Sequence, residues 1–212
     1  MPQMPTAGFR WTGETVIKRS RFIATVARAD TETAARAVIA SVRAAYPDAS
    51  HHCVAFVLNG GGTPTAHTSD DGEPPGTAGM PMLRVLLSAE LTNVVTVVTR
   101  YFGGIKLGAG GLARAYSGCV ADAVAVTPRV VRQVRQVWAL YVPYSDAGRV
   151  QEELLRDGCV VVGADHDDSG VRLRLTFEGD AQAAAARAMR GAAEVVPDGV
   201  VEVEVPVPVT SP

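Results

Sequence analysis

The stretch from Ser69 to Cys119 constrains the fold more than any other part of the chain. Within it, Val94, Val95, Val97 and Val98, with Thr96 between and Thr99 after them, make a near-continuous β-branched run. Such a run suits a strand covered on both faces. Gly103, Gly104, Gly108, Gly110 and Gly111 follow at once, and glycine is used where the backbone takes positive φ or approaches another group closely. Leu112, Ala115, Tyr116, Cys119, Val120 and Ala123 then recur at helical spacing. A strand, a glycine loop and a helix start in succession bring free N–H groups and the positive end of the helix dipole to one place, which favours an anion. The loop is no Walker A, because no Gly-Lys-Ser/Thr stands at the right spacing. Gly108-x-Gly110-x-x-Ala113 has the form of the dinucleotide pattern, but no Asp or Glu lies between Asp122 and Asp146, where an acidic residue is needed about 20 positions on. That match is accidental.

Length and composition set the frame. At 212 residues and 47% hydrophobic content the chain can bury a sizeable core, as one large or two small domains. No apolar run is long enough to span a membrane, and the N-terminus MPQMPTAGFRW lacks the form of a signal peptide; the expected location is the cytoplasm, without membrane contact. Cys53, Cys119 and Cys159 are odd in number, sit in apolar stretches and form no CxxC, which points to buried free thiols with no disulfide, structural metal or cofactor. Net charge is −2, but unevenly spread: residues 1–127 carry 11 Lys and Arg against 9 Asp and Glu, whereas residues 128–212 carry 9 against 13. A polyanion would therefore prefer the first half. Only Lys18 and Lys106 are lysines among the 20 cations, and both fall in stretches singled out here.

In chain order, Glu14 to Lys18 and Phe22 to Ala29 read as strands around the basic turn Lys18-Arg19-Ser20-Arg21. That turn is either a solvated hairpin tip or a phosphate-contacting edge beside the glycine loop. Thr31 caps a helix with Ala35, Val38, Ile39, Val42 and Tyr46 on one face, and Pro47 ends it. His52 to Leu58 is a strand with Cys53, Ala55 and Val57 on one face and His52, Val54 and Phe56 on the other. His51 shares the Cys53 face, and His67 follows after a glycine loop; a metal there would need a further ligand. Asp70, Asp71 and Glu73 crowd before Pro74, Pro75 and Gly76. Three such carboxylates could bind a hard cation or split their pKa values for acid and base work. The plainer reading is an acidic turn whose carboxylates accept backbone N–H bonds, and no nucleophile with an adjacent base accompanies them. A short helix from Pro81 to Ala89 completes the first half.

The second half reads as strand Val137 to Val142, a helix capped by Asp146 and ended at Gly158, strands Cys159 to Gly163 and Val171 to Phe177, an alanine-rich helix from Asp180 to Ala193, and a last strand Val200 to Val207. That order, βαββαβ, is the ferredoxin-like split βαβ. A boundary near residues 128–136 follows, giving 1–130 and 131–212 as the two domains. The second has no glycine loop or carboxylate cluster and reads as a packing or docking module.

KRSRFIA (18–24), the His51-x-Cys53 strand, SDDGEPPGTAG (69–79) and VVTRYFGGIKLGAGGLARAY (97–116) together resemble the YigZ/Impact family. Pro75 and Ala113 depart from the expected Ser and Val, which takes away a hydroxyl at 75 but no charged or glycine position. The resemblance implies an α+β protein. Its first domain would have the left-handed-crossover β/α fold found in a small-subunit ribosomal protein, in elongation factor G and in certain small-molecule kinases; the second would resemble the ferredoxin-like C-terminal domain of elongation factor G. Eukaryotic Impact proteins act in translational control during amino-acid starvation through protein partners. The expected function is a non-enzymatic, translation-linked factor that contacts RNA or the ribosome, or a protein of the translation or stress-response machinery. Its expected surface comprises Lys18, Arg19, Arg21, Arg100, Lys106 and Arg114, with the amides of Gly108, Gly110 and Gly111. The rivals are an enzyme on a phosphorylated small molecule, with Mg²⁺ at Asp70, Asp71 and Glu73, and a protein-docking module.

Overall fold

A computed structural model of the protein describes residues 2–60 and 63–207. It is a mixed α/β structure with two antiparallel sheets, and the chain divides into two compact units: residues 1–131 with 205–212, and residues 132–204. Gly61 and Gly62 of the glycine loop before His67, and the last residues of the second domain as read from sequence, lie outside the described residues.

The first unit is built on a sheet in the order β2 (Arg10–Ile17), β3 (Ser20–Arg28), β6 (Val94–Tyr101), β4 (His51–Leu58), β5 (Thr65–Ser69). β6 is central and antiparallel to both neighbours, and residues 94–100 are all buried, as a β-branched run between two covered faces requires. On one face lies α1 (Glu32–Ala45), which Thr31 caps by accepting from the Ala34 amide at 3.1 Å. It packs over Ala27, Val54, Phe56, Val95 and Val97. The opposite face carries α2 (Gly79–Ser88) and α3 (Ala109–Ala125), packed over Phe22, Ala24, Cys53, Ala55, Val94 and Val98. The alternation of Cys53, Ala55 and Val57 against Val54 and Phe56 thus separates the two cores.

Strands β1 (Gln3–Pro5) and β5 have no counterpart in the sequence reading. Gln3, Met4 and Pro5 pair with Val131, Val130 and Arg129 at the start of β7 (Arg129–Pro143), which lengthens β7 well upstream of the expected Val137. β5 is a polar edge strand, with no apolar alternation to announce it.

In the second unit β7 is followed by α4 (Tyr144–Arg156), β8 (Val160–His166), β9 (Gly170–Thr176), α5 (Ala181–Met189) and β10 (Val195–Pro206). The sheet runs β8-β9-β7, with β10 on the other side of β7. Leu140, Val142, Val150, Leu154, Leu173, Leu175 and Ala185 form the core. Asp180 caps α5 as read, accepting from the Ala183 amide at 3.1 Å. Asp146 does not cap α4. Pro143 holds the N-cap position, where it has no N–H to leave unpaired, the helix starts at Tyr144, and Asp146 sits in its first turn, paired with Arg149 at 2.7 Å. α5 stops short of Ala193 because Arg190 turns left-handed at φ 57°.

Gly103 is required by close approach. A Cβ on Gly103 would overlap the carbonyl of Arg19, so the loop after β6 lies directly on the β2–β3 hairpin turn. Gly103→Ala should destabilise the protein by about 1–3 kcal/mol through overpacking, lowering the melting temperature by several degrees. Gly118→Ala, which lies within α3 and meets nothing within 4 Å, should lose less. Equal melting temperatures for the two variants would contradict the packing.

Candidate functional site

β2 and β3 are joined by two residues only. Ile17 pairs with Ser20, and Lys18 and Arg19 between them take φ of 46° and 65°. Two positive φ values suit the twist of a two-residue hairpin, but Asn-Gly is the ordinary choice. Each non-glycine residue there costs about 1–2 kcal/mol, and such strain persists where surrounding structure enforces it. Gly103 against the Arg19 carbonyl and the Gly103 amide donating to Ser20 Oγ at 3.2 Å supply that enforcement. Both cations are left exposed at the tip.

Beside the tip, Gly108 at φ 72° begins α3, and the exposed Arg114 reaches back so that its guanidinium lies over Gly110. Lys18 and Arg114 line one cleft of about 230 Å³ with Ile17, Leu107, Gly111 and Ala115. Lys106 is exposed in the loop. Among the described residues none of Lys18, Arg19, Lys106 and Arg114 forms an ion pair. The other two expected cations are engaged. Arg21 is exposed but holds Glu14 through two hydrogen bonds of 2.8 and 2.9 Å, and lies over the Tyr101 ring.

Arg100, expected on the surface, is 5% exposed. Positions 94, 98 and 100 of β6 share a face under period-two alternation, and that face is the one covered by α2 and α3. There Arg100 Nη1 donates to Glu73 Oε1 at 2.6 Å and Nη2 to Ser20 Oγ at 3.3 Å. The guanidinium lies 5.3 Å from the Phe22 ring centre and 5.4 Å from that of Phe102. The Tyr116 hydroxyl donates to the same Glu73 oxygen at 2.7 Å; burial pushes its pKa far up, so it stays a donor. Nothing in the helical spacing that marked Tyr116 as a core position revealed this hydroxyl's partner.

The acidic turn is internally satisfied. Asp70 accepts the amides of Gly76 at 2.8 Å, Ala78 at 3.0 Å and Gly79 at 2.8 Å. Asp71 accepts the His52 amide at 2.7 Å and Arg43 at 2.6 Å. The three carboxylates thus point to three different sets of donors, and among the described residues no cluster of three or more His, Cys, Asp or Glu is arranged for a metal. The Asp71 carbonyl accepts from His51 Nδ1, 2.8 Å away, and the other ring nitrogen lies 3.9 Å from Glu73. Cys53 donates to the Asp70 carbonyl at 3.0 Å; burial pushes its thiol up to about 12, which removes thiolate reactivity. His67 is apart from them, stacked on Phe56 with ring centres 5.0 Å apart.

Asp70 sets a pH test. Burial raises its pKa, but the three amides outweigh burial and hold it below the ordinary value. A depressed carboxylate stabilises the fold above the unfolded Asp value of about 3.9, and that stabilisation is lost as pH falls through the folded pKa. Asp70→Asn should therefore melt lower than the parent at pH 7, and the gap should narrow as pH is taken down toward 3. A gap independent of pH would refute the assignment.

Comparison with known proteins matches residues 18–124 to the Impact N-terminal domain. The chain is 42% identical over 141 residues to the IMPACT family member YvyE of Bacillus subtilis, covering 66% of this chain and 64% of that protein. It is 51% identical over 112 residues to the IMPACT family member YigZ of Escherichia coli, covering 51% and 53%. The chain thus spans less than two thirds of the length of these two relatives. A crystal structure of a hypothetical protein, 35% identical, overlaps 92% of this chain and 95% of its own with a TM-score of 0.58.

Proposed function

The chain belongs to the IMPACT family, and we propose that it is a non-enzymatic, translation-linked regulatory factor that binds RNA phosphate through Lys18, Arg19, Lys106 and Arg114. The observation that carries this reading is the sorting of charge: these four cations are exposed without ion pairs among the described residues, while Asp70, Asp71 and Glu73 are all turned onto internal donors. A cation set free of internal partners is what backbone contact to a polyanion needs. The first-turn amides of α3 at Gly110 and Gly111, next to Gly108, add donors at the same edge. Arg21 and Arg100 serve this surface indirectly, by bracing the hairpin and the strand beneath it.

The translational link is what the family resemblance implies, with RNA or the ribosome, or a protein of that machinery, as partner in the cytoplasm. Among the described residues no helix is long and apolar enough to cross a membrane. The finer fold belongs to the same proposal: a left-handed-crossover β/α first domain over residues 1–130 and a ferredoxin-like second domain over residues 131–212. The strand order β8-β9-β7 with β10 beside β7 supports the latter. An Mg²⁺-dependent enzyme at the acidic turn gains no support, since each carboxylate already holds strong donors.

Titration of single-stranded RNA at several salt concentrations tests the reading. Each phosphate contact adds about 0.7 to the negative logarithmic slope, so Lys106→Ala with Arg114→Ala should shallow it by about 1.4. The melting temperature should barely move, because both side chains are exposed. An unchanged slope would overturn the proposal.

A further inference from the structure

A second surface of the first unit shares Arg114 with the cleft beside the hairpin tip. α2 and α3 leave between them a groove of about 620 Å³. Its floor is aliphatic, with Val85, Ala113, Ala121 and Val124 among the lining residues, and its charged members are Arg84 and Arg114. Both arginines are exposed, neither forms an ion pair among the described residues, and no Asp or Glu lines the groove. We propose that this groove docks an acidic amphipathic helix of a protein partner.

Three features select that occupant. The two unpaired guanidinium groups call for carboxylates, and an apolar floor calls for apolar side chains between them; an amphipathic acidic helix offers both. Small side chains such as Ala113, Ser117 and Ala121 let a third helix approach at ordinary packing distance, about 8–10 Å between axes. α3 has 17 residues, about 25 Å at 1.5 Å per residue, which is room for between four and five turns of a partner. Single-stranded nucleic acid fits poorly, because such sites stack bases on aromatic side chains and track the backbone with cations. No aromatic residue lines this groove, and it holds only two cations.

The test uses the full chain and an acetylated, amidated 16-residue peptide with Leu and Ala on one face and Glu along both flanks. A second peptide carries Gln in place of every Glu. Fluorescence anisotropy should show binding of the Glu peptide, at least tenfold tighter than the Gln peptide. Ala121→Trp, which fills the groove from an exposed position, and Arg84→Glu, which reverses its charge, should each weaken the Glu peptide at least tenfold. Both variants should keep the parent melting temperature and the parent salt slope on single-stranded RNA, which separates this proposal from the one above. Amide chemical shifts perturbed by the Glu peptide should cluster on α2 and α3. No binding of the Glu peptide, or equal binding by parent and variants, overturns the proposal. So does a tenfold loss of RNA affinity in Ala121→Trp, which would make the groove a nucleic-acid seat. Self-association of the parent that Ala121→Trp abolishes would also overturn it, by making the occupant a second copy of the chain.

Discussion

The carboxylate of Glu73 is the point on which the arrangement of the first unit depends. It enters the space between the sheet and α3, where it meets Arg100 from the central strand and Tyr116 from the helix. Glu73 and Arg100 side chains are 3% and 6% exposed. Two charges taken out of water cost several kcal/mol each, repaid only when geometry and further hydrogen bonds are good. Here Tyr116, Ser20 and the faces of Phe22 and Phe102 complete the shell, although Arg100 Nε finds no partner. A pair of this kind adds little net stability but makes the loss of either member expensive. It ties the acidic turn, β6, α3 and β3 into one unit.

The consequence for function is a separation of charge. The acidic turn is consumed internally by Arg100, Arg43 and backbone amides, so it offers no free carboxylate to Lys18, Arg19, Lys106 and Arg114, which form no ion pair among the described residues. The same β3–β6 contact that aligns Ser20 with Gly103 holds the strained two-residue turn closed. Structural acids and free cations are therefore products of one packing solution, and the exposed basic edge is held in place by the buried one.

Much of this was legible from residue type and spacing. The β-branched run implied burial on both faces of β6, Thr31 and Asp180 announced helix starts, and the cysteines read as buried thiols. Asp70 behaves as ordinary turn chemistry would have it, accepting three amides. What local pattern could not supply was pairing across distance. Arg100 follows the inward positions Val94 and Val98 by period two, so its burial was available in principle, but only Glu73, 27 residues earlier, makes that burial tolerable. β1 and β5 are short or polar and exist because β7 and β4 accept them as partners. Asp146 lost the capping role to Pro143, a choice between two acceptable starts that depends on where β7 ends.

A double-mutant cycle on Glu73 and Arg100, read by both stability and RNA binding, bears most directly on this account. Glu73→Gln should lower stability by about 3 kcal/mol or more, because it strands a buried guanidinium. Adding Arg100→Met should recover a large part of that loss, and the folded variants should keep the parent salt slope on single-stranded RNA. The contrary result is a Glu73→Gln protein that melts like the parent, shows no coupling to Arg100 and loses its activity or its ligand. Glu73 would then be a functional carboxylate, not the structural pin of the unit.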